Sequence, residues 1–265
     1  MNLTSASPTA GTAPAARTSR TSGYRARLAA SADDLRAAQA LRFEVFNLEL
    51  DEGLAQSWDT GLDADPYDAV CDHLLVTDAE GAVIGTYRMQ TGARAARSNG
   101  GLGYYSEREF DLSPFEAARG QILELGRACI HRRHRNFAVL NLLWKGIAAY
   151  AQRQGARYLL GCSSLTSQDE ASGLAAFAQL QPQLAPARWC TQPRPAFVCH
   201  GGAAAQAPPI PRLLTAYLAL GARICGAPAI DREFRTIDFL TWLDIESEGL
   251  VALQQRGRFN ATAAG

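Results

Sequence analysis

Lysine is almost absent from this 265-residue chain. Lys145 stands alone among 26 basic residues, and 26 acidic ones balance them to zero formal charge. Without net charge, bulk electrostatic binding to nucleic acid or an anionic membrane is not expected, so electrostatic recognition must be local. The six cysteines (Cys71, Cys129, Cys162, Cys190, Cys199, Cys225) form no CxxC and no pairing pattern. Most lie in apolar stretches, where free cysteine behaves as a small hydrophobe, and a reducing cytoplasm is the expected compartment. The four histidines lack metal-site spacing such as HExxH, so no metal is expected. Long hydrophobic runs are missing as well. LLTAYLALGA, from Leu213, is about half of the roughly 20 residues a membrane span needs. Residues 1–22 are rich in Ala, Ser and Thr and lack a secretory h-region, so a disordered tail is expected there, with a flexible tail over 251–265.

What remains suffices for one domain over 23–250, with 47% hydrophobic and 20% charged residues. Tyr24 to Leu28 reads as a short strand. Ser31 caps a helix with Asp33 and Asp34 in its first turn and Leu35, Ala38, Leu41 and Val45 at helical spacing. Asp51 to Asp68 is polar and irregular. A hairpin follows, CDHLLVT–DAEG–AVIGTYRMQT, then a mostly looped stretch over 91–120 with a short helix near Glu107. Gln121 to Ile130 is a strand, Phe137 to Gln154 a long helix and Arg157 to Ser163 a strand, which demands a parallel pair joined by a crossover. A helix from about Asp169 to Gln179 comes next. Residues 181–212 hold seven of the twelve prolines and read as an irregular connection. A helix from Leu213 to Leu220 and two apolar segments close the chain. The predicted fold class is α/β, a mixed twisted sheet with helices on both faces.

Within LELGRACIHRRHRNFAVLNLLWKG (123–146), an apolar strand ends at Ile130 and Arg132, Arg133 and Arg135 follow at once, with Asn136 as a helix cap. Cations at a helix start oppose the dipole by roughly 0.3–1 kcal/mol each, and a bound phosphate would reverse that penalty. The alternative is a solvated basic turn. GxxxxGKS is absent, so a nucleoside triphosphate is not the expected owner of the phosphate.

Strand, basic turn, long helix, strand resembles the core of the GNAT acyltransferase fold, without its glycine-rich QxxGxG turn. The set Arg42, Phe46, Asp65, Asp68, Gly85, Arg88, Phe110, Glu124 and Arg127 resembles the signature of the acyl-homoserine-lactone synthases, although no tryptophan follows Phe46 before Trp58. The stretches LRFEVFNLEL, DAVCDHLLV, GTYRMQTG, YYSEREFDLSPFE, LELGRACIHRRHRN, YLLGCSSLTSQD and GARICGAPAIDREFRTIDFLTWLD resemble the ornithine–acyl-carrier-protein N-acyltransferases of ornithine-lipid synthesis, over about residues 24–245. That resemblance implies transfer of a 3-hydroxy-fatty-acyl group from acyl carrier protein, with acyl-CoA as the alternative donor, to the α-amine of ornithine. No bound cofactor is implied. Another amino-acid acceptor such as glycine, an acyl-homoserine lactone product, and a non-catalytic acyl-binding protein remain open.

Acyl transfer to an amine requires a base, a polarised thioester carbonyl, a held acceptor and an apolar slot. Glu124 is the candidate base, flanked by Ile122, Leu123 and Leu125, where burial raises a carboxyl pKa. Its structural alternative is an ion pair with Arg127 or Arg88. Strict alternation puts Glu124 and Arg127 on opposite faces, so a bulge near Gly126 is expected to bring them together, splay the next strand and free backbone amides for the thioester oxygen. Asp65, Asp68 and Asp72 are candidates for the acceptor's ammonium groups, and Arg42, Arg88 or Arg127 for its carboxylate. Phe46 and Arg42 are expected to wall the site, Cys162 and Ser163 to line the acyl gap, and Arg132, Arg133, Arg135 and Asn136 to receive phosphopantetheine and the acidic carrier protein. Trp189 and Phe197 are candidates to touch the acyl chain or a membrane. Asp231, Glu233 and Asp238 are read as structural. A cytoplasmic protein with peripheral contact to the inner membrane is expected.

Overall fold

The computed structural model describes residues 23–97 and 102–247, so the two tails lie outside the described residues. The chain runs β1 (Arg25–Leu28), α1 (Ala32–Phe43), α2 (Ser57–Thr60), β2 (Asp72–Thr77), β3 (Val83–Thr91), α3 (Gly92–Arg97), β4 (Ile122–Ile130), α4 (Phe137–Gln154), β5 (Tyr158–Leu165), α5 (Glu170–Leu180), α6 (Arg212–Ala219), β6 (Arg223–Ile224), β7 (Ala229–Asp231) and β8 (Thr236–Asp244). One sheet in the order β1-β2-β3-β4-β5-β8-β6 crosses the molecule, with β7 also on β8. β4 and β5 are its parallel neighbours and the other pairings are antiparallel. No helix among the described residues is long and apolar enough to cross a membrane.

The α4 stripe Val139, Leu143, Ile147 and Tyr150 repeats at three- and four-residue spacing and packs on Leu74, Val76, Tyr87, Met89 and Leu123 of one sheet face. Asn136 accepts the Val139 amide at 3.1 Å and caps the helix as expected, and Ser31 caps α1 the same way. On the opposite face α1 buries Leu41 against Cys129. Its last turn widens into a π-turn, Glu44–Glu49, which the sequence pattern did not suggest. The wider turn lets Val45, Phe46 and Asn47 all face inward, where a regular helix would rotate one of them to solvent. The stretch expected to be mostly loop holds α3 and two 3-10 turns, Tyr105–Arg108 and Ser113–Gln121.

The sheet is irregular at β4. Thr86 pairs with Cys129 and Arg88 with Gly126, so Tyr87 faces two residues, Arg127 and Ala128. This is the expected bulge, and Arg127 carries its left-handed backbone, φ 49°. For a side chain with a Cβ that conformation costs roughly 1–2 kcal/mol. β5 pairs with β4 only from Ile122↔Tyr158 to Glu124↔Leu160, then stays with β8 alone. At the fork a Cβ on Gly161 would meet the Leu125 carbonyl oxygen at 2.2 Å, so only glycine permits the close approach. Beyond it the strands part.

Candidate active site

Three arginines and three aspartates meet where α1 crosses β3 and β4. Arg42 reaches Asp63 at 2.8 Å and Asp68 at 2.6 Å; Arg88 reaches Asp65 at 2.6 Å and Asp68 at 3.1 Å. Arg127 reaches Asp63 at 3.1 Å and Asp65 at 2.9 Å. Every member is buried or nearly so. Burial alone would raise Asp68, but its hydrogen bond to Arg42 and the charges of Arg42 and Arg88 hold it below the usual carboxylate range. Asp65 is likewise lowered, because Arg88 and Arg127 outweigh its burial. Asp63 escaped the sequence reading, although it stands two residues before Asp65 in LDADPYD. The two ion pairs of Arg127 help hold the bulge in its left-handed conformation.

Glu124 has no ion pair with Arg88 or Arg127. Its carboxylate accepts the amides of Tyr105 and Ser106, both at 2.8 Å, and the Ser106 hydroxyl at 2.7 Å. Burial raises its pKa above the ordinary value, and these three donors pull it partly back. Tyr105 also lies under the guanidinium groups of Arg88 and Arg127, 5.3 and 4.9 Å from its ring centre.

These groups open onto a cavity of about 850 Å³ whose lining comes from both faces of the sheet and meets at the β4–β5 fork. Phe46, Arg88, Ser106, Glu124, Arg127, Cys162 and Ser163 line one part. Tyr87, Leu125, Leu140, Trp144, Leu159 and Tyr217 line the rest, an apolar slot in which the Tyr87 and Tyr217 hydroxyls hydrogen-bond. At the fork the backbone of Leu125 to Ala128 borders the cavity with no strand on that edge. The mouth carries Leu50, Arg135, Asn136, Phe137 and Leu213, and Phe137 is 80% exposed. Arg135 is held by Glu49 at 2.6 Å, whereas Arg132 and Arg133 are exposed in the 3-10 turn outside.

Several expected contacts are not made. Arg42 is fully buried behind the cavity with its guanidinium committed to Asp63 and Asp68, so it cannot clamp a substrate. Asp68 is committed in the same way. Asp65 sits at the border of the cluster, tied to Arg88 and Arg127. Asp72 points to the α4 face, where it binds Arg94 at 3.0 Å and the Tyr150 hydroxyl at 2.5 Å. Phe110 is core, 1% exposed and packed with Phe115 and Trp189. Trp189 stacks on Phe115 and Trp242 and is closed to a membrane, while Phe197 packs at the border of the same cluster.

A second acidic group joins Asp231 and Asp238, expected to be structural, to Glu52 and Glu109, which the sequence did not single out. Glu52, Asp231 and Asp238 line the cavity, and Glu109 lies just behind Cys162. Burial and the charges of Asp238 and Asp231 push Glu109 well above the usual carboxyl range. Burial lifts Asp238 to about 6 and Glu52 to about 7. Burial also raises the Cys162 thiol well above its ordinary value, which makes it a poor nucleophile.

Residues 41–145 match the Acetyltransferase (GNAT) domain family. The chain is 32% identical over 238 residues to the L-ornithine N(alpha)-acyltransferase of Rhodobacter capsulatus, covering 84% of this chain and 91% of that protein. The enzyme of the same name from Agrobacterium fabrum is also 32% identical, with 83% and 80% covered. Among solved structures, FeeM, an N-acyl amino acid synthase from uncultured soil microbes, shares the fold at 14% identity and a TM-score of 0.52, covering 86% of this chain and 93% of that one. A CoA-dependent acyl-homoserine lactone synthase, MesI, does so at 12% identity and 0.51, with 88% and 94% covered.

Proposed function

The chain belongs to the GNAT acyltransferase family that includes the L-ornithine N(alpha)-acyltransferases, and we propose that it moves a 3-hydroxy-fatty-acyl group from acyl carrier protein to the α-amine of L-ornithine, giving a lyso-ornithine lipid. The observation that carries this reading is the forked sheet. A carboxylate and two arginines sit at one end of a cavity whose other end is an apolar slot. Ornithine occupies the polar end, with its carboxylate on guanidinium N–H groups of Arg88 and Arg127 left over from their aspartate pairs. The acyl chain lies in the slot, and the phosphopantetheine arm enters at the mouth past Asn136 and Phe137.

Glu124 takes a proton from the α-ammonium, directly or through one water. The freed amine attacks the thioester carbonyl, whose oxygen is stabilised by backbone amides along the unpaired edge of β4. The C–S bond breaks, and the departing thiolate takes up the proton the nitrogen sheds as the amide forms. The three donors on Glu124 orient it without neutralising it. Arg132 and Arg133, exposed outside the mouth, meet the acidic carrier protein. Leu50, Phe137 and Leu213 form an exposed apolar rim there, suited to peripheral contact with the inner membrane that receives the product.

The test is mass spectrometry of the purified protein incubated with 3-hydroxyacyl carrier protein and a pool of amino acids. Acyl-ornithine is the expected product. A different acylated amino acid overturns the acceptor, and no product, with carrier protein bound, overturns the catalytic reading.

A further inference from the structure

The Glu52–Glu109–Asp231–Asp238 group has no use in the chemistry above. Among the described residues none of the four forms an ion pair with arginine, lysine or histidine. Asp231 is steadied by the amides of Glu233 and Phe234, and Glu52 by the Thr166 hydroxyl. Asp238 is different. It is 4% exposed, it lines the cavity, and its Oδ1 has no hydrogen-bond partner. A buried carboxylate oxygen left without a donor is costly, and the cost disappears when a donor or cation arrives from the cavity.

We propose that Asp238, with Glu52 and Glu109 around it, is the seat of the acceptor's second, side-chain ammonium group, so that the enzyme selects a dibasic amino acid by charge. This rests on the ornithine reading and assigns the part of the site that makes the choice. Spacing supports it. The Ser106 hydroxyl that binds Glu124 lies 3.7 Å from the Cys162 sulfur, which is 3.8 Å from the nearer Glu109 carboxyl oxygen. The two amines of extended ornithine are five bonds, roughly 6 Å, apart at ordinary bond lengths. An α-amine at Glu124 therefore sends its side chain along the Cys162 wall toward the acids. Burial first, and then their mutual repulsion, raise the carboxyl pKa values of Glu109, Asp238 and Glu52, a cost that a cation among them would relieve. The arginine-balanced Asp65 and Asp68 offer no such seat.

The experiment compares ornithine with norvaline, which has the same carbon chain and no terminal amine. kcat/KM for both is measured with 3-hydroxyacyl carrier protein, in the wild type, Asp238→Asn and Glu52→Gln. The wild type is expected to prefer ornithine by on the order of 100-fold or more, because norvaline leaves the buried acids unpaired. Asp238→Asn is expected to cut that ratio at least tenfold, and Glu52→Gln, where the amide oxygen can still accept from the Thr166 hydroxyl, to cut it less. Ornithine without donor should raise the wild-type Tm more than norvaline does, and this difference should shrink in Asp238→Asn. An unchanged ratio in both variants overturns the seat while leaving ornithine acylation intact. A wild type indifferent to the terminal amine does the same. Acylation of some other amino acid and not ornithine removes both readings. If the wild type is inactive after EDTA and recovers with zinc, Glu109, Cys162 and Asp238 would be a metal site, and the seat is overturned.

Discussion

Two groups of buried carboxylates stand side by side on one sheet face and are built in opposite ways. Asp63, Asp65 and Asp68 are matched by Arg42, Arg88 and Arg127, with N···O distances of 2.6 to 3.1 Å. Glu52, Glu109, Asp231 and Asp238 have no cation of their own among the described residues. The first group holds Asp65 and Asp68 ionised and ties α1 and the Asp63–Asp68 loop to the β4 bulge. In the second, Glu52, Glu109 and Asp238 are pushed toward the neutral form. Equal numbers of charges in a chain therefore say little about where charge is balanced. Balance on one side fixes architecture, and imbalance on the other leaves a place for a ligand's charge.

Breaking the balanced side should have the largest effect. Arg42→Ala strands Asp63 and Asp68 in a site from which water is excluded, and removing one partner of a buried ion pair costs roughly 3–5 kcal/mol. Urea unfolding is the measurement. A loss below about 1 kcal/mol would mean that the network does not hold α1 to the sheet. Next comes Glu124→Gln, expected to lower kcat/KM for ornithine by on the order of 10²–10⁴, as removal of a general base does. A glutamine also turns an NH2 group toward amides that need an acceptor, so a stability loss of about 1–3 kcal/mol should accompany it. Rates must therefore be taken well below the variant's Tm. Full turnover would take Glu124 out of the proton path.

The unbalanced side should show itself in pH. Glu52 and Asp238 have raised pKa values when folded, so their protonated forms favour the native state. That contribution is complete below their unfolded values near 4 and is lost as pH rises through about 6 to 7. Asp68, with a lowered pKa, behaves in reverse and loses its contribution only as pH falls below about 4. A Glu52→Gln, Asp238→Asn double variant mimics the neutral acids. Its stability relative to wild type should be near zero at pH 4 and rise to about 1–3 kcal/mol in its favour at pH 8. A pH-independent difference would show that burial does not raise the two carboxyls above their unfolded values.

Much of the fold could be read along the chain because it follows local rules. The α4 stripe, the Asn136 cap, the 71–91 hairpin and the parallel crossover each depend on spacing within a short window. The bulge was readable from a conflict, since alternation separates Glu124 from Arg127. The π-turn after Phe43 was not, because its cause is a burial demand set by β4 and Phe234. The acidic group was missed for the same kind of reason. Glu52 lies after α1, Glu109 just after a 3-10 turn and Asp231 and Asp238 on two late strands, so no window of sequence contains them. Asp238 reads as structural because nothing in its own strand says what lies opposite it. Arg42 and Phe110 were over-read, because motif position alone does not separate a residue that touches substrate from one that supports the residues that do.

Asp72 supplies the control for the comparison, and the smallest effect. It is an acid of the same type, at the start of β2, but on the α4 side of the sheet. Its partners there are a half-exposed Arg94 at 3.0 Å and the Tyr150 hydroxyl at 2.5 Å. A partly exposed ion pair contributes about 0–1 kcal/mol, and asparagine can still accept from Tyr150. Asp72→Asn is thus expected to shift stability by under about 1 kcal/mol and to leave both kcat/KM and the ornithine-to-norvaline ratio within about twofold of wild type. A fall in that ratio matching the one at Asp238 would mean that long-range field, not contact, selects the acceptor, because Asp72 is not among the residues that line the cavity. An unchanged ratio at Asp72 beside a collapsed one at Asp238 would make the choice of acceptor a matter of a few ångströms, decided by a buried carboxylate oxygen of the cavity wall that has no donor of its own.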